Sequence, residues 1–384
     1  MKILILHNQY LIGGGEDVST MAEVEMLRRH GHTVELLLLN NTAILDSPKW
    51  NVALGAVWST KAYRTVLQKV RTERYDIVHV QNFFPLLSPS VFFAAKKGGA
   101  KVLLSLRNYR LICPNAQLFT HDEICSRCVG KMIPLPGVTH KCYRDSFSAS
   151  AVVTTMLAFH NFLGTWQKKI DGFICISDFV KKQMIEAGIP ARKLFRKYNF
   201  ISEDPGYNEN PTDNFLYVGR LSREKGIGLL LKAFSSPDLA GRSLTIIGDG
   251  PLRNMVEDAA AQNPNIRYLG ALDLKTAYRH MGQAFYLLFP SRWHEPFGRT
   301  IVEAFACGTP VIASDAGAAS ELITDQYNGF LFLRDDLASL IQKIKEACLD
   351  EDYVQKRRNA RGAYLQRFTM EMNYSQLLGI YTAV

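Results

Sequence analysis

Short, solidly apolar runs alternate with longer amphipathic stretches from one end of this 384-residue chain to the other, and that alternation restricts the folds open to it. Runs at 2–7, 33–39, 76–81, 101–107 and 172–177 form a first set. Runs at 214–219, 243–248, 266–270, 284–290 and 310–314 form a second. Most are apolar at every position rather than at every second one, the pattern of strands buried on both faces of a parallel sheet. Helical periodicity is predicted over 17–30, ending at Gly31, over 178–187, ending at Gly188, and over 251–262. Repeated strand–helix–strand order predicts an α/β fold with parallel sheets.

A chain of this length exceeds what one hydrophobic core usually serves, so two domains are expected. The strand sets divide near residue 205. Residues 202–213 (SEDPGYNENPTD) carry two prolines, a glycine and no apolar periodicity, and read as a linker. We therefore expect a first domain at 1–200 and a second at 201–365. Helical patterns at 351–368 and 370–383 follow the last strand, and the terminal helix, within 366–384, is free to pack back on the first domain.

Hydrophobic residues make up 47% of the chain and charged residues 21%, an ordinary globular balance. The formal charge of +9 favours anionic partners: nucleotide phosphates, nucleic acid or an acidic membrane surface. No nucleic-acid module is recognisable, so nucleic acid is not expected. The apolar stretches at 83–95 and 149–159 fall short of the roughly 20 residues that span a bilayer. The first apolar run is too short for a secretory signal, so a cytoplasmic location is expected. Seven cysteines, an odd number, do not suggest a secreted disulfide scaffold.

Three motifs carry chemistry. Gly13-Gly14-Gly15-Glu16 follows the first strand and opens a helix, so backbone can approach an anion closely there; the plainer reading is a tight turn. A dinucleotide fingerprint would need G-x-G-x-x-G and an acidic residue at the end of the second strand. Here the next glycine is Gly31 and the second strand ends in Asn40-Asn41, which excludes the dehydrogenase reading. Gly219-Arg220-Leu221-Ser222-Arg223-Glu224-Lys225-Gly226 follows the first strand of the second set. It places Arg220 and Lys225 where a diphosphate could lie, against the alternative of a solvated basic turn. The third motif runs Ser291-Arg292-Trp293-His294-Glu295-Pro296-Phe297-Gly298-Arg299-Thr300-Ile301-Val302-Glu303-Ala304. Pro296 and Gly298 put Glu295 in a loop and Glu303 in the following helix. The loop carboxylate can accept sugar hydroxyls and the helical one a ribose diol, while the helix start faces phosphate. A glycosidase pair ranks low, because this spacing does not set the two carboxylates across one bond.

In these motifs the chain resembles glycosyltransferase family 4. E-x7-E is present as Glu295 and Glu303 within EPFGRTIVEA, the donor-phosphate pattern as GRLSREKG, and the N-terminal glycine loop as GGGE. Supporting matches are GDGP from Gly248, YLG ending at Gly270 and GTPVIAS from Gly308. The resemblance runs from Met1 to about Phe332. It implies two facing Rossmann-like domains (the GT-B architecture) and a retaining transfer from a nucleotide-activated sugar, UDP- or GDP-linked, without a catalytic metal. It implies that Arg220 and Lys225 hold the diphosphate and stabilise it as leaving group. Glu295 would hold donor hydroxyls, Glu303 the ribose, and backbone near Phe297, Gly298, Arg299 and Thr300 the phosphate. Gly219 and Gly248 would admit the donor, Tyr268, Gly270 and Leu272 would border the base, and Gly13, Gly14 and Gly15 would close over the diphosphate. The acceptor class implied is a glycan or a lipid-linked saccharide, in surface polysaccharide or glycolipid assembly. Two alternatives stay open: a sugar-nucleotide epimerase of the same fold, and a non-catalytic sugar-nucleotide-binding protein.

One departure matters. Many family members carry His after the fourth strand, where this chain reads Ser105-Leu106-Arg107-Asn108-Tyr109-Arg110, with Arg107 at that place. Arg is no general base near neutral pH. In a front-face retaining reaction the donor phosphate can take the acceptor's proton, so the role of Arg107 is open. His79, at the end of the third strand, is a candidate substitute, although a lone histidine at a strand end is more often structural.

Cys113, Cys125, Cys128 and Cys142 cluster within thirty residues, with zinc-knuckle spacing at Cys125 and Cys128 and His140 nearby. A structural zinc is one reading; free buried thiols or a redox-labile pair are the others. Basic residues concentrate in the first domain, among them Lys61, Arg64, Lys168 and Lys169, beside the apolar stretch at 149–166. Together they suggest peripheral contact with an anionic membrane on its inner face; a solvated basic face beside a buried helix is the plainer account.

Overall fold

The computed structural model describes residues 1–11, 13–44, 48–207 and 211–384. Part of the expected linker, 208–210, lies outside the described residues. The chain forms two compact units. One contains Met1–Thr120, Cys125–Asn199 and Asn373–Val384, the other His121–Ile124 and Phe200–Met372.

In the first unit, β1 (Lys2–Gln9), β2 (Thr33–Asn40), β3 (Ile77–Asn82), β4 (Lys101–Leu106), β7 (Gly172–Cys175) and β8 (Leu194–Arg196) form one parallel sheet in the order β2-β1-β3-β4-β7-β8. Between β4 and β7 in sequence lie two two-residue strands, β5 (Phe119–Thr120) of this unit and β6 (Glu123–Ile124), whose residues fall in the other. Ile3 to Leu6 of β1 are fully buried, as their unbroken apolar run requires. The first helix, Gly15–Arg29, begins two residues earlier than its periodicity suggests, because Asp17 caps the free N–H of Gly14 at 3.0 Å.

The second unit holds β9 (Phe215–Val218), β10 (Leu244–Ile247), β11 (Ile266–Tyr268), β12 (Leu287–Phe289), β13 (Val311–Ser314) and β14 (Gly329–Phe332). All neighbours pair in parallel, in the order β11-β10-β9-β12-β13-β14. The order reverses between β9 and β12. In such sheets ligands bind outside the carboxyl ends of the strands at that reversal. The two motifs richest in charge directly follow these two strands.

Four strands were not anticipated from sequence: the two-residue β5 and β6, and β8 and β14 in the two large sheets. β8 and β14 are edge strands of three and four residues. Runs so short show no periodicity to distinguish them from loop.

Candidate active site

The loop after β9 turns through Arg223–Lys225 and closes on Gly226. At Gly226 φ is +74°, and a Cβ would stand 1.9 Å from the Pro290 carbonyl oxygen, so only glycine lets the loops after β9 and β12 touch. That contact brings Lys225 to Glu295: Nζ lies 2.7 Å from Oε2. Ser291 Oγ and Trp293 Nε1 each donate to the same oxygen at 3.0 Å. Three donors thus hold Oε2, while Oε1 takes no hydrogen bond among the described residues. The ammonium also lies 5.4 Å from the centre of the Trp293 ring. From the far side Gly317 packs on the Glu295 backbone, where a Cβ would approach its nitrogen to 2.6 Å, and Ala318 N–H donates to the Glu295 carbonyl at 2.9 Å. Glu295 is therefore fixed in backbone and side chain, with one oxygen available to a ligand.

Arg220 is more open. Its side chain is 61% exposed and pairs with Glu224 at 2.9 Å, and Ser222 Oγ donates to the same carboxylate oxygen at 2.6 Å. An anion must draw the guanidinium from Glu224, an exchange that costs little at an exposed pair.

Helix Arg299–Ala306 starts at Gly298, whose missing side chain leaves the helix start without a side-chain cap. Phe297 is buried against Phe368. Thr300 and Arg299 occupy the first turn. Glu303, one turn on, accepts from Arg299 Nε at 2.7 Å. Burial raises the Glu303 carboxyl above its ordinary range, and Arg299 only partly opposes this. The ends of β9, β10 and β11 are tied together: Gly219 N–H donates to Ile247, Gly248 N–H to Gly270, and Tyr268 Oη to Gly248. Leu272 lies half-buried just beyond. Gly219, Arg220, Lys225, Gly248, Tyr268, Gly270, Leu272, Glu295, Phe297, Gly298, Arg299, Thr300 and Glu303 thus all belong to the second unit, on or beyond the carboxyl ends of β9–β12.

The remaining site candidates belong to the first unit. Gly13, Gly14 and Gly15 are exposed. Gly14 has φ −141° and nothing within 4 Å of an added Cβ, so the backbone does not require glycine there. Asp17 also takes His7 Nε2 at 2.7 Å.

Arg107 and His79 lie in a buried polar cluster around Glu23. Arg107 donates to Gln81 at 3.0 Å and to Asn199, and reaches Glu23 at 3.5 Å. Lys197 donates to Glu23 and to Asn373, both at 2.8 Å. Both His79 nitrogens are engaged at 2.8 Å, Nδ1 with Tyr381 Oη and Nε2 with Ser105 Oγ. Burial pushes His79 down to about 4, so the ring is neutral near pH 7. Burial also works against the Glu23 carboxylate, but Lys197, His79 and Arg107 outweigh it and hold the group at about 2.

All seven cysteines are free thiols. Cys113, Cys125, Cys128 and Cys142 line one small cavity with His140. Burial pushes the Cys128 thiol up to about 12. Among the described residues no three His, Cys, Asp or Glu side chains stand ready as a metal set, and no helix is long and apolar enough to cross a membrane.

Sequence reasoning did not assign Ser291, Trp293, Glu224 or Gly317 to the site. The first three lie inside the quoted motifs, but side-chain direction within a loop is not readable from spacing. Gly317 was visible only as a glycine after a strand.

A parallel sheet whose reversal point carries a basic loop, an uncapped helix start and two held carboxylates defines a Rossmann-type nucleotide-binding unit. Residues 14–199 match the family described as glycosyl transferase 4-like domain, and residues 201–366 the one described as glycosyl transferases group 1. An uncharacterized 41.2 kDa protein in the cps region of Klebsiella pneumoniae is 32% identical over 293 residues, 73% of this chain and 71% of that one. An uncharacterized glycosyltransferase of Methanocaldococcus jannaschii is 32% identical over 184 residues, 47% of this chain, and the chain spans only 51% of that relative's length. The crystal structure of Anabaena HepE in complex with UDP superposes with a TM-score of 0.72 at 19% identity, covering both chains completely. The chain belongs to the family 4-type glycosyltransferases of GT-B fold.

Proposed function

We propose that the chain is a retaining glycosyltransferase that moves a hexosyl or related unit from a nucleotide sugar to a hydroxyl of a glycan or lipid-linked saccharide. The observation that carries this reading is the Lys225–Glu295 contact at the sheet's reversal point, with Glu295 Oε1 left for a ligand. In this reading Lys225 and Arg220 face the diphosphate and stabilise the charge that develops as it leaves. Glu295 Oε1 accepts donor-sugar hydroxyls. The helix start at Gly298, Arg299 and Thr300 faces phosphate, Glu303 accepts the ribose diol, and the turn from Tyr268 to Leu272 borders the base. The bond from the anomeric carbon to phosphate oxygen breaks as the bond to the acceptor oxygen forms on the same face. The acceptor's proton passes to the departing phosphate, so no protein base is needed. Gly13, Gly14 and Gly15 are assigned to ligand contact, since the local backbone has no need of glycine at Gly14. Neither His79 nor Arg107 is assigned a chemical step, because each is tied into the Glu23 cluster.

UDP is the first donor nucleotide to test, because the Anabaena fold neighbour binds it, with GDP second. The Klebsiella relative in a cps region supports a place in surface polysaccharide or glycolipid assembly. Contact with the inner face of an anionic membrane is supported by exposed Trp50, Leu54, Phe159 and Phe162 on two helices that pack together, Lys49–Val57 and Phe147–Phe162. Lys49, Lys61 and Arg64 are exposed nearby in the chain.

The burial of Arg107 favours one second reading, a protein that binds nucleotide sugar without transferring it. Calorimetry with UDP, GDP, ADP and dTDP, followed by hydrolysis assays on the matching nucleotide sugars, separates the two. Binding with slow release of nucleotide, and a sugar product whose anomer is retained by NMR, supports transfer. Binding without any turnover leaves the second reading, and no binding of any nucleotide overturns both.

A further inference from the structure

Between β4 and helix Phe147–Phe162 the chain contains almost no regular structure: only β5, β6 and the four-residue helix Pro136–Thr139. Seven non-glycine residues there adopt left-handed backbone: Ala116, Leu118, His121, Asp122, Lys141, Arg144 and Asp145. Such residues cost of order 1–3 kcal/mol each and persist only where surrounding structure holds them. The same segment brings Cys113, the Cys125–Cys128 pair and Cys142 to one cavity, although nearly thirty residues separate the first from the last.

Backbone bonds fix the loop that carries these sulfurs: Cys125 N–H donates to the Leu118 carbonyl at 2.8 Å and Cys142 N–H to the Gly137 carbonyl at 3.0 Å. Arg110 acts electrostatically on Cys113 and Arg127 on Cys142, offsetting the negative charge a thiolate set would carry. His140 also lines the cavity, but Arg127 Nη1 donates to its Nε2 at 2.8 Å, which favours sulfur over nitrogen as fourth ligand.

We propose that Cys113, Cys125, Cys128 and Cys142 bind one zinc ion as a tetrathiolate that staples residues 113–142. Four S–H protons leave to solvent as four Zn–S bonds form, and no electrons are exchanged. Cys113 Sγ now donates to Asn115 Oδ1 at 2.9 Å, and Cys128 Sγ lies 3.7 Å from the Pro134 carbonyl oxygen. Ligation turns both thiols from those acceptors into the cavity they already line. The zinc stands apart from the transfer chemistry and is independent of the proposed function.

The test is metal analysis of the full chain, purified under reducing conditions from zinc-supplemented medium. Wild type and the control Cys348→Ser are expected to hold roughly one zinc per chain and Cys128→Ser less than about a tenth. Chelation is expected to open Cys125 and Cys142, the half-buried pair, to alkylation. Should Cys128→Ser fail to fold, cobalt added to chelated wild type gives the deciding signal: thiolate-to-cobalt charge-transfer bands with the visible bands of a tetrahedral site. Wild type with no zinc above buffer and no cobalt–thiolate bands overturns the proposal. So does a mass four hydrogens lighter than the reduced chain, which would mean two disulfides in place of a metal.

Discussion

Lys225 Nζ and Glu295 Oε2 lie 2.7 Å apart although seventy residues separate them in sequence. The ammonium is held at the end of β9 by a carboxylate from the loop after β12. Replacing Lys225 by Ala removes the charge meant for the leaving diphosphate. Turnover of the nucleotide sugar is expected to fall at least tenfold, about 1.4 kcal/mol of barrier. Steady-state kinetics on Lys225→Ala at wild-type fold, checked by circular dichroism, decides it; unchanged kcat removes Lys225 from the mechanism.

Glu303 is expected to act through nucleotide affinity as well as rate. Glu303→Ala should lower turnover at least tenfold, about 1.4 kcal/mol. Because burial raises this carboxyl, wild-type affinity for UDP should begin to weaken at a higher pH than an ordinary carboxylate would dictate. Calorimetric titrations at descending pH should show that early loss in wild type and not in Glu303→Gln. Identical pH profiles would exclude an ionised Glu303 as the ribose acceptor.

Gly226 and Gly14 should separate structural from functional glycine. Gly226→Ala forces a Cβ against the Pro290 oxygen at positive φ and is expected to cost on the order of 2–4 kcal/mol in a thermal or urea melt. Gly14→Ala meets open space at φ −141°. It should change stability by less than about 0.5 kcal/mol, yet slow transfer. An unaltered rate in Gly14→Ala would leave that turn without a role.

His79 makes the first unit acid-labile. Its folded value of about 4 lies below the ordinary 6.5, so the unfolded chain binds the extra proton between those limits. Stability is complete above about pH 6.5 and declines toward pH 4, by at most about 1.4 kcal/mol per pH unit for this one group. Glu23, held at about 2 against an ordinary 4.5, adds a second loss only below about pH 4.5. The melting temperature of wild type should therefore drop between pH 7 and 5, and that of His79→Gln should drop less. Equal slopes would mean that other histidines carry the effect.

Phe162, 81% exposed, is the most direct probe of membrane contact. If it inserts, Phe162→Ser should lower partition onto vesicles containing anionic lipid by at least about tenfold. Sedimentation indifferent to both the substitution and the lipid charge would dismiss the membrane reading.

The switch-point loops were legible because GRLSREKG and EPFGRTIVEA each follow an unbroken apolar run, which marks the carboxyl end of a buried strand. The Glu23 cluster was not. A glutamate within an amphipathic helix reads as a surface residue, and its partner Lys197 stands 174 positions later. Arg107 could be placed at a family position from sequence, but only coordinates reveal Gln81, Asn199 and Glu23 around it. Likewise the spacing of Trp293 and Ser291 says nothing of their convergence on one oxygen of Glu295.

The order of synthesis gives Asn373 and Tyr381 a further consequence. They belong to the unit that contains β1, and they supply partners to Lys197 and His79 within its interior. A nascent chain that has already produced all six strands of that sheet still lacks these groups while Phe200–Met372 of the second unit is being translated. Until residues 373–384 leave the ribosome, the interior cation and imidazole of that unit wait without these partners.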